Sequence, residues 1–220
     1  MNPLTVSLLV ATVATALCVL AGLPMAIWLN GLGRGRWIVE TLVSLPVVLP
    51  PTVVGWILMD MLGKRGLIGQ WLTPIAGTSL LFTWQAIALA SFLIGLPLFV
   101  RAVCGALARI EPELWETARL CGANEWDFWR AIGLPLASSG IAAGAALAFA
   151  RSLGEFGAAL ILGGQVPGST ETVATALWTA IESGDQSAAT RWALLLGLGA
   201  MAIHLGAIRG SRTGTGGWKR

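Results

Sequence analysis

Long apolar stretches decide what this chain can fold into. Five of them occupy about residues 4–29, 37–62, 79–100, 136–162 and 192–208. A helix rises about 1.5 Å per residue, so roughly 20 apolar residues cross a hydrocarbon core about 30 Å thick. Only 11% of the 220 residues are charged and the mean hydropathy is +0.76. A soluble domain carries about 25% charged residues. This chain has too few to cover a globular surface, which excludes a soluble enzyme, a disordered chain and a nucleic-acid-binding domain. The net charge of +3 is scattered along the chain, with no basic stripe for nucleic acid. An all-α polytopic transmembrane helix bundle remains, one domain over residues 1–220 with about five spans.

Smaller features agree. Cys18, Cys104 and Cys121 form no C-x-x-C pair, so neither a disulfide framework nor a zinc site is expected. His204 stands alone in an apolar helix with no second ligand at metal spacing, and reads as a packed or interfacial residue. Trp28, Trp37, Trp71 and Trp84 fall near span ends, as interfacial anchors do. No Lys or Arg precedes Arg34, so the first stretch reads as a retained membrane helix and not a cleaved signal.

Basic residues set the expected direction. One set of loops holds Arg34, Arg36, Arg101, Arg109, Arg119, Arg130, Arg209, Arg212, Lys219 and Arg220. The opposite set holds only Lys64, Arg65 and Arg191. The positive-inside rule then places the N-terminus outside and the C-terminus in the cytoplasm. Two loops exceed simple turns: a cytoplasmic one over residues 101–135 and an outer one over 163–191. The outer loop contains a short, mostly apolar segment, 173–181, expected as an interfacial or re-entrant helix.

The cytoplasmic loop reads E-P-E-L-W-E-T-A-R-L-C-G-A-N-E-W-D-F-W from Glu111 to Trp129. Pro112 suits the first turn of a helix, and the neighbouring acids complement its positive end. Leu114, Ala118 and Cys121 recur at helical spacing and give one narrow apolar face. Gly122 stops or bends that helix, and Trp126, Phe128 and Trp129 follow as an aromatic anchor. Packing of this face on the bundle's own underside and docking of it on a partner are both open at this point.

In the fourth stretch, Arg151 and Glu155 stand four residues apart, on one face of a continuous helix. A charge near the bilayer centre costs about 2.5–3.5 kcal/mol on insertion scales, so it faces protein or a wet cavity. Either the pair is structural, or Arg151 lies by an anion path with Glu155 orienting it. In the second stretch, Leu45-Pro46-Val47-Val48-Leu49-Pro50-Pro51 frees carbonyls and kinks the helix. That run reads as a packing kink or as a flexible wall of a pore or gate.

These residues carry a resemblance. Permeases of ABC importers bear a cytoplasmic signature written E-A-A, three residues, G, nine residues, I, one residue, L-P. Glu116-Thr117-Ala118, Gly122, Ile132, Leu134 and Pro135 meet every spacing. Thr117 replaces the usual alanine, which slightly lowers helix propensity. The proline run, the stretch Gly63-Lys64-Arg65-Gly66-Leu67-Ile68-Gly69 and the stretch Ala148-Phe149-Ala150-Arg151-Ser152-Leu153-Gly154-Glu155-Phe156-Gly157-Ala158 resemble the molybdate importer permeases. Permeases for tungstate and for sulfate or thiosulfate look similar over the same region, roughly residues 35–185.

The resemblance implies a multi-pass subunit of a bacterial-type inner membrane, with a periplasmic N-terminus and a cytoplasmic C-terminus. Its implied partners are a second copy of itself, cytoplasmic ATP-binding subunits, a periplasmic oxyanion-binding protein and membrane lipid. Glu116, Thr117, Ala118, Gly122, Ile132, Leu134 and Pro135 would couple it to the ATPase, and the loop helix would dock in an ATPase groove. Pro46, Pro50, Pro51, Arg151, Ser152 and Glu155 are the residues assigned to the translocation path or gate. No glycine-rich phosphate loop with Lys and Ser/Thr occurs, so no ATPase site, catalytic residue, metal or cofactor is expected in this chain. A conducting path needs sites weak enough to leave, so specificity is expected mainly in the binding protein. A secondary carrier is disfavoured because no internal hydropathy repeat is seen. A membrane scaffold would leave the signature unexplained.

Overall fold

A computed structural model of the chain describes residues 1–33, 35–76 and 79–213. Arg34, Lys219 and Arg220 of the sidedness argument lie outside the described residues, as do the side chains of His204, Arg209 and Arg212. Among the described residues the regular structure is all helical. In chain order the helices are α1 (Pro3–Gly31), α2 (Arg36–Val48), α3 (Pro51–Leu62), α4 (Gly69–Ala76), α5 (Trp84–Leu107), α6 (Pro112–Leu120) and α7 (Glu125–Phe128). A π-helical turn over Trp129–Gly133 leads into α8 (Leu134–Leu153), followed by α9 (Gly157–Gly163), α10 (Val173–Glu182) and α11 (Gln186–Thr213).

Helices α1, α5 and α8 pack together as the core. Phe99 is fully buried among Cys18, Leu29, Leu96, Val103 and Ala148, and its ring lies against Gly22 and Gly144. Small residues at such crossings let helix backbones approach where lipid supplies no hydrophobic drive. Among the described residues, three helical runs are long and apolar enough, each by itself, to cross a bilayer: Pro3–Gly31, Trp84–Leu107 and Glu125–Leu153.

Two of the expected stretches are each divided between two helices. The stretch 37–62 is not one helix: α2 and α3 meet at an angle of 101° and are long and apolar enough to cross a bilayer only together. The cause is the consecutive Pro50 and Pro51. The residue before a proline is pushed out of the helical region, and Leu49 is extended at ψ 145° while Pro50 is extended at ψ 135°. Pro46, by contrast, is absorbed inside α2. The stretch 136–162 is likewise broken, with α8 capped at Gly154 and α9 restarting at Gly157. Glu155 therefore lies beyond the end of α8 and does not share a continuous helix with Arg151.

Other boundaries shift for local reasons. The third stretch becomes helical only at Trp84, where the Thr83 side chain caps the Ala86 N–H, and the helix continues to Leu107. Ile132, Leu134 and Pro135 are not in a loop: they lie in the helical run that continues into α8. Pro135 has no N–H to complete the α-helical ladder, and the wider π turn just before it is closed by Leu134 N–H donating to Trp129 O. The segment 173–181 does form a helix, α10, but it is docked and not free on a surface. Val173, Ala174, Thr175, Ala176 and Ala180 are buried, and the Val173 N–H donates to Ser7 Oγ of α1 at 2.8 Å. The fifth stretch lies within α11, which Asp185 opens by accepting the Ser187 and Ala188 N–H groups.

Candidate functional site

The first site is the helix–turn–helix between α5 and α8. Pro112 begins α6, Glu113 lies in its first turn and Arg119 in its last, each matched to the helix dipole. Beyond Leu120 the chain reverses at Gly122, whose φ of +85° favours glycine. The Gly122 N–H donates to Arg119 O at 2.9 Å and the Ala123 N–H to Ala118 O at 3.0 Å, so the turn closes the last carbonyls of α6. Asn124 and Asp127 then form a reciprocal capping box that starts α7.

An aromatic stack fixes this unit to the bundle. Trp115 and Phe128 meet edge to face with centroids 4.6 Å apart, and Phe128 meets Trp129 in the same manner at 5.5 Å. Arg119 lies 5.9 Å from the Trp115 ring centroid. Of α6 only Ala118 is buried. Glu116, Thr117 and Cys121 face outward, and so do Leu114 and Leu120, the last 89% exposed. The expected apolar face of Leu114, Ala118 and Cys121 is therefore corrected: Ala118 and Trp115 turn inward, because the indole reaches Phe128 and draws that side of the helix down. Trp115 was missed from sequence, since its partner lies 13 residues away in a separate helix. Ile132 and Leu134 are half-buried, and Pro135 is exposed.

The second site is built from the two helix breaks. A Cβ added to Gly157 would lie 3.0 Å from Thr52 Cγ2 and 3.2 Å from Pro51 Cβ. One turn further along α3, a Cβ on Gly55 would lie 2.9 Å from Ala158 Cα. The proline break and the Gly154 break thus abut, and α3 crosses α9 with backbones nearly in contact. Pro46 stands apart from this contact, a turn away within α2.

Glu155 ties the second break together. It is 2% exposed, and its Oε1 accepts the Ala158 N–H at 2.9 Å. Its Oε2 lies 2.8 Å from Arg151 Nη1. The ion pair is close, but the angle is not that of a hydrogen bond, so Oε2 has no aligned donor. Ser152 is buried and its Oγ has no hydrogen-bond partner among the described residues. The Arg151 side chain keeps 28% exposure. Carboxylate and guanidinium therefore form one unit with a sealed acid end and a partly open basic end. Among the described residues no group of three or more His, Cys, Asp or Glu side chains is placed to hold a metal ion.

This fold is shared with chains of solved ABC transporters. Over 97% of the chain it superposes on a chain of a bacterial alginate ABC transporter, solved with an alginate pentasaccharide-bound periplasmic protein, at TM-score 0.76 and 19% identity, covering 78% of that chain. It also superposes on a chain of the MetNI methionine ABC transporter in an inward-facing conformation, at TM-score 0.72 and 20% identity, covering 97% of this chain and 94% of that one. An all-helical bundle with broken helices and a protruding helix–turn–helix is thus an ABC-transporter permease fold. Residues 18–209 match the family described as binding-protein-dependent transport system inner membrane component, and the chain belongs to that family.

Three relatives narrow the comparison. The chain is 37% identical over 195 residues to the molybdenum transport system permease protein ModB of Escherichia coli K12, covering 86% of this chain and 85% of the relative. It is 39% identical over 215 residues to ModB of Mycobacterium tuberculosis H37Rv, covering 97% and 80%. It is 35% identical over 187 residues to the sulfate transport system permease protein CysT of Escherichia coli K12, covering 84% and 67%.

Proposed function

We propose that this chain is the membrane-spanning subunit through which an ATP-driven importer passes molybdate. The likeness to ModB proteins along nearly the whole chain carries the reading. The signature residues on the helix–turn–helix agree with it: Glu116, Thr117 and Gly122 lie on the outward side of a unit whose aromatic base is fixed to the bundle. A rigid, exposed helix of this kind passes on a rigid-body movement. In this reading it docks on a separate ATPase subunit, which supplies the hydrolysis.

Two copies of the chain form the path, fed by a periplasmic oxyanion-binding protein. The N-terminus is periplasmic, the C-terminus cytoplasmic, and α11 supplies the last of about five spans. The abutting breaks at Pro50–Pro51 and Gly154 form the gate, and the open end of Arg151 faces the passing anion. No cofactor resides in the chain.

Sulfate is the second reading, favoured by the likeness to CysT. Labelled molybdate uptake by cells with and without the gene separates the two, with excess sulfate or tungstate as competitor. Loss on deletion with resistance to sulfate supports molybdate. Full suppression by sulfate moves the assignment to the sulfate permeases.

A further inference from the structure

The helix α2 buries none of its residues. Between it and α5 runs a groove of about 630 Å³, within the size range of small-molecule sites. Leu45, Val48, Pro97 and Val100 give it an apolar wall, and Arg36 and Arg101 line it with Trp37. Arg36 is held by Glu40 at 2.6 Å. Among the described residues Arg101 has no ion-pair partner, so the groove carries an uncompensated positive charge beside an apolar surface.

The apolar wall of such a groove, in a chain with membrane-spanning helices, is covered by apolar matter. Water finds partners on Arg36, Glu40, Thr41, Ser44 and Arg101 but none along Leu45, Val48, Pro97 and Val100, and an empty wall there forfeits dispersion contacts. A small free oxyanion would satisfy Arg101 and leave the wall bare. An amphiphile satisfies both. Basic pockets between membrane helices take anionic lipid headgroups, with Trp at the interface. We propose that the α2–α5 groove is a binding site for an anionic phospholipid, with its phosphate on Arg101 beside the Arg36–Glu40 pair and an acyl chain along Leu45, Val48 and Val100. The lipid fills the gap that leaves α2 unburied, and so holds α2 and its proline break against the core. The leaflet concerned rests on the orientation proposed above. The binding itself does not, so failure of one leaves the other standing.

The full chain, purified with its partner subunits, is reconstituted in nanodiscs of equal parts phosphatidylcholine and phosphatidylglycerol. Native mass spectrometry then counts the lipid that stays bound. The wild type retains phosphatidylglycerol. Arg101→Gln retains about fivefold less, the effect of one basic residue at an anionic headgroup, and Arg101→Lys retains it nearly in full. Val48→Asp, which spoils the apolar wall, lowers retention of both lipids. Equal phosphatidylglycerol retention by Arg101→Gln and wild type overturns the proposal. Displacement of the lipid by sodium molybdate or sulfate overturns it in favour of a free-anion site. Disulfide pairing of two copies through Val48→Cys in a Cys121→Ser background, in native membranes, overturns it in favour of a second copy in the groove.

Discussion

The point where a Cβ on Gly55 would sit lies 2.9 Å from the Cα of Ala158. No side chain fits between the two helices there, and the contact is backbone against backbone, so a flexible neighbour cannot give way. Gly55→Leu forces α3 away from α9. Overpacking of this kind costs about 1–3 kcal/mol. We expect a lower melting temperature in detergent and a loss of uptake larger than the loss of folded protein. Uptake that falls only in proportion to folded protein would show that the crossing is structural and has no part in gating.

At the exposed end of the molecule, Gly122 takes a φ of +85° at the turn after α6. An L-residue in the left-handed region costs roughly 1–2 kcal/mol, and proline cannot adopt it at all. Gly122→Ala should weaken association with the ATPase subunit, and Gly122→Pro should abolish transport while the chain still reaches the membrane. Glu116→Lys leaves the turn intact but reverses an outward-facing charge, and should abolish transport in the same way. Co-purification of the ATPase with each variant, at matched expression, is the measurement. Normal co-purification and uptake in both Gly122→Pro and Glu116→Lys would rule out coupling through this helix.

Hydropathy made the helices legible, and spacing marked the signature on the helix–turn–helix, because both are local along the chain. The break at Pro50–Pro51 was visible as a kink, since proline acts on its own neighbourhood. The break at Gly154 was not. Arg151 through Ala158 holds two charges four residues apart and two glycines, and nothing local shows that Glu155 caps Ala158 instead of extending α8. That the two breaks touch depends on Gly55 meeting Ala158 and Gly157 meeting Pro51 and Thr52 across about 100 residues of chain, a tertiary fact. The Trp115–Phe128 stack is tertiary too, and it shifts the inward side of α6 from Leu114 and Cys121 to Trp115 and Ala118.

The N-terminus of α11 gives a pH-dependent prediction. Asp185 accepts the Ala188 N–H at 3.0 Å and the Ser187 hydroxyl at 2.8 Å, and these bonds hold its carboxyl below the usual aspartate value. A depressed carboxylate contributes stability that is present above its unfolded pKa, about 3.9, and is lost as pH falls through the lower folded value. Wild type should exceed Asp185→Ala in thermal stability at neutral pH, and the gap should close only below about pH 4. Melting curves from neutral pH downward test this. A gap that closes well above that value would show that the cap is not the source.

The Arg151–Glu155 pair offers the sharpest separation of structure from transport. Glu155 Oε2 is 2.8 Å from Arg151 Nη1, and the Glu155 side chain is 1% exposed. Removing one partner of a buried pair leaves the other charge stranded, at about 3–5 kcal/mol. Arg151 keeps 28% side-chain exposure, so the lower end of that range applies here. Arg151→Ala should therefore melt earlier than the double variant Arg151→Ala/Glu155→Gln, in which no charge is stranded and the Gln carbonyl can still accept the Ala158 N–H. If Arg151 faces the passing anion, the double variant regains stability without regaining turnover. Recovery of both together would make the pair structural, and would leave the path to be lined by other groups.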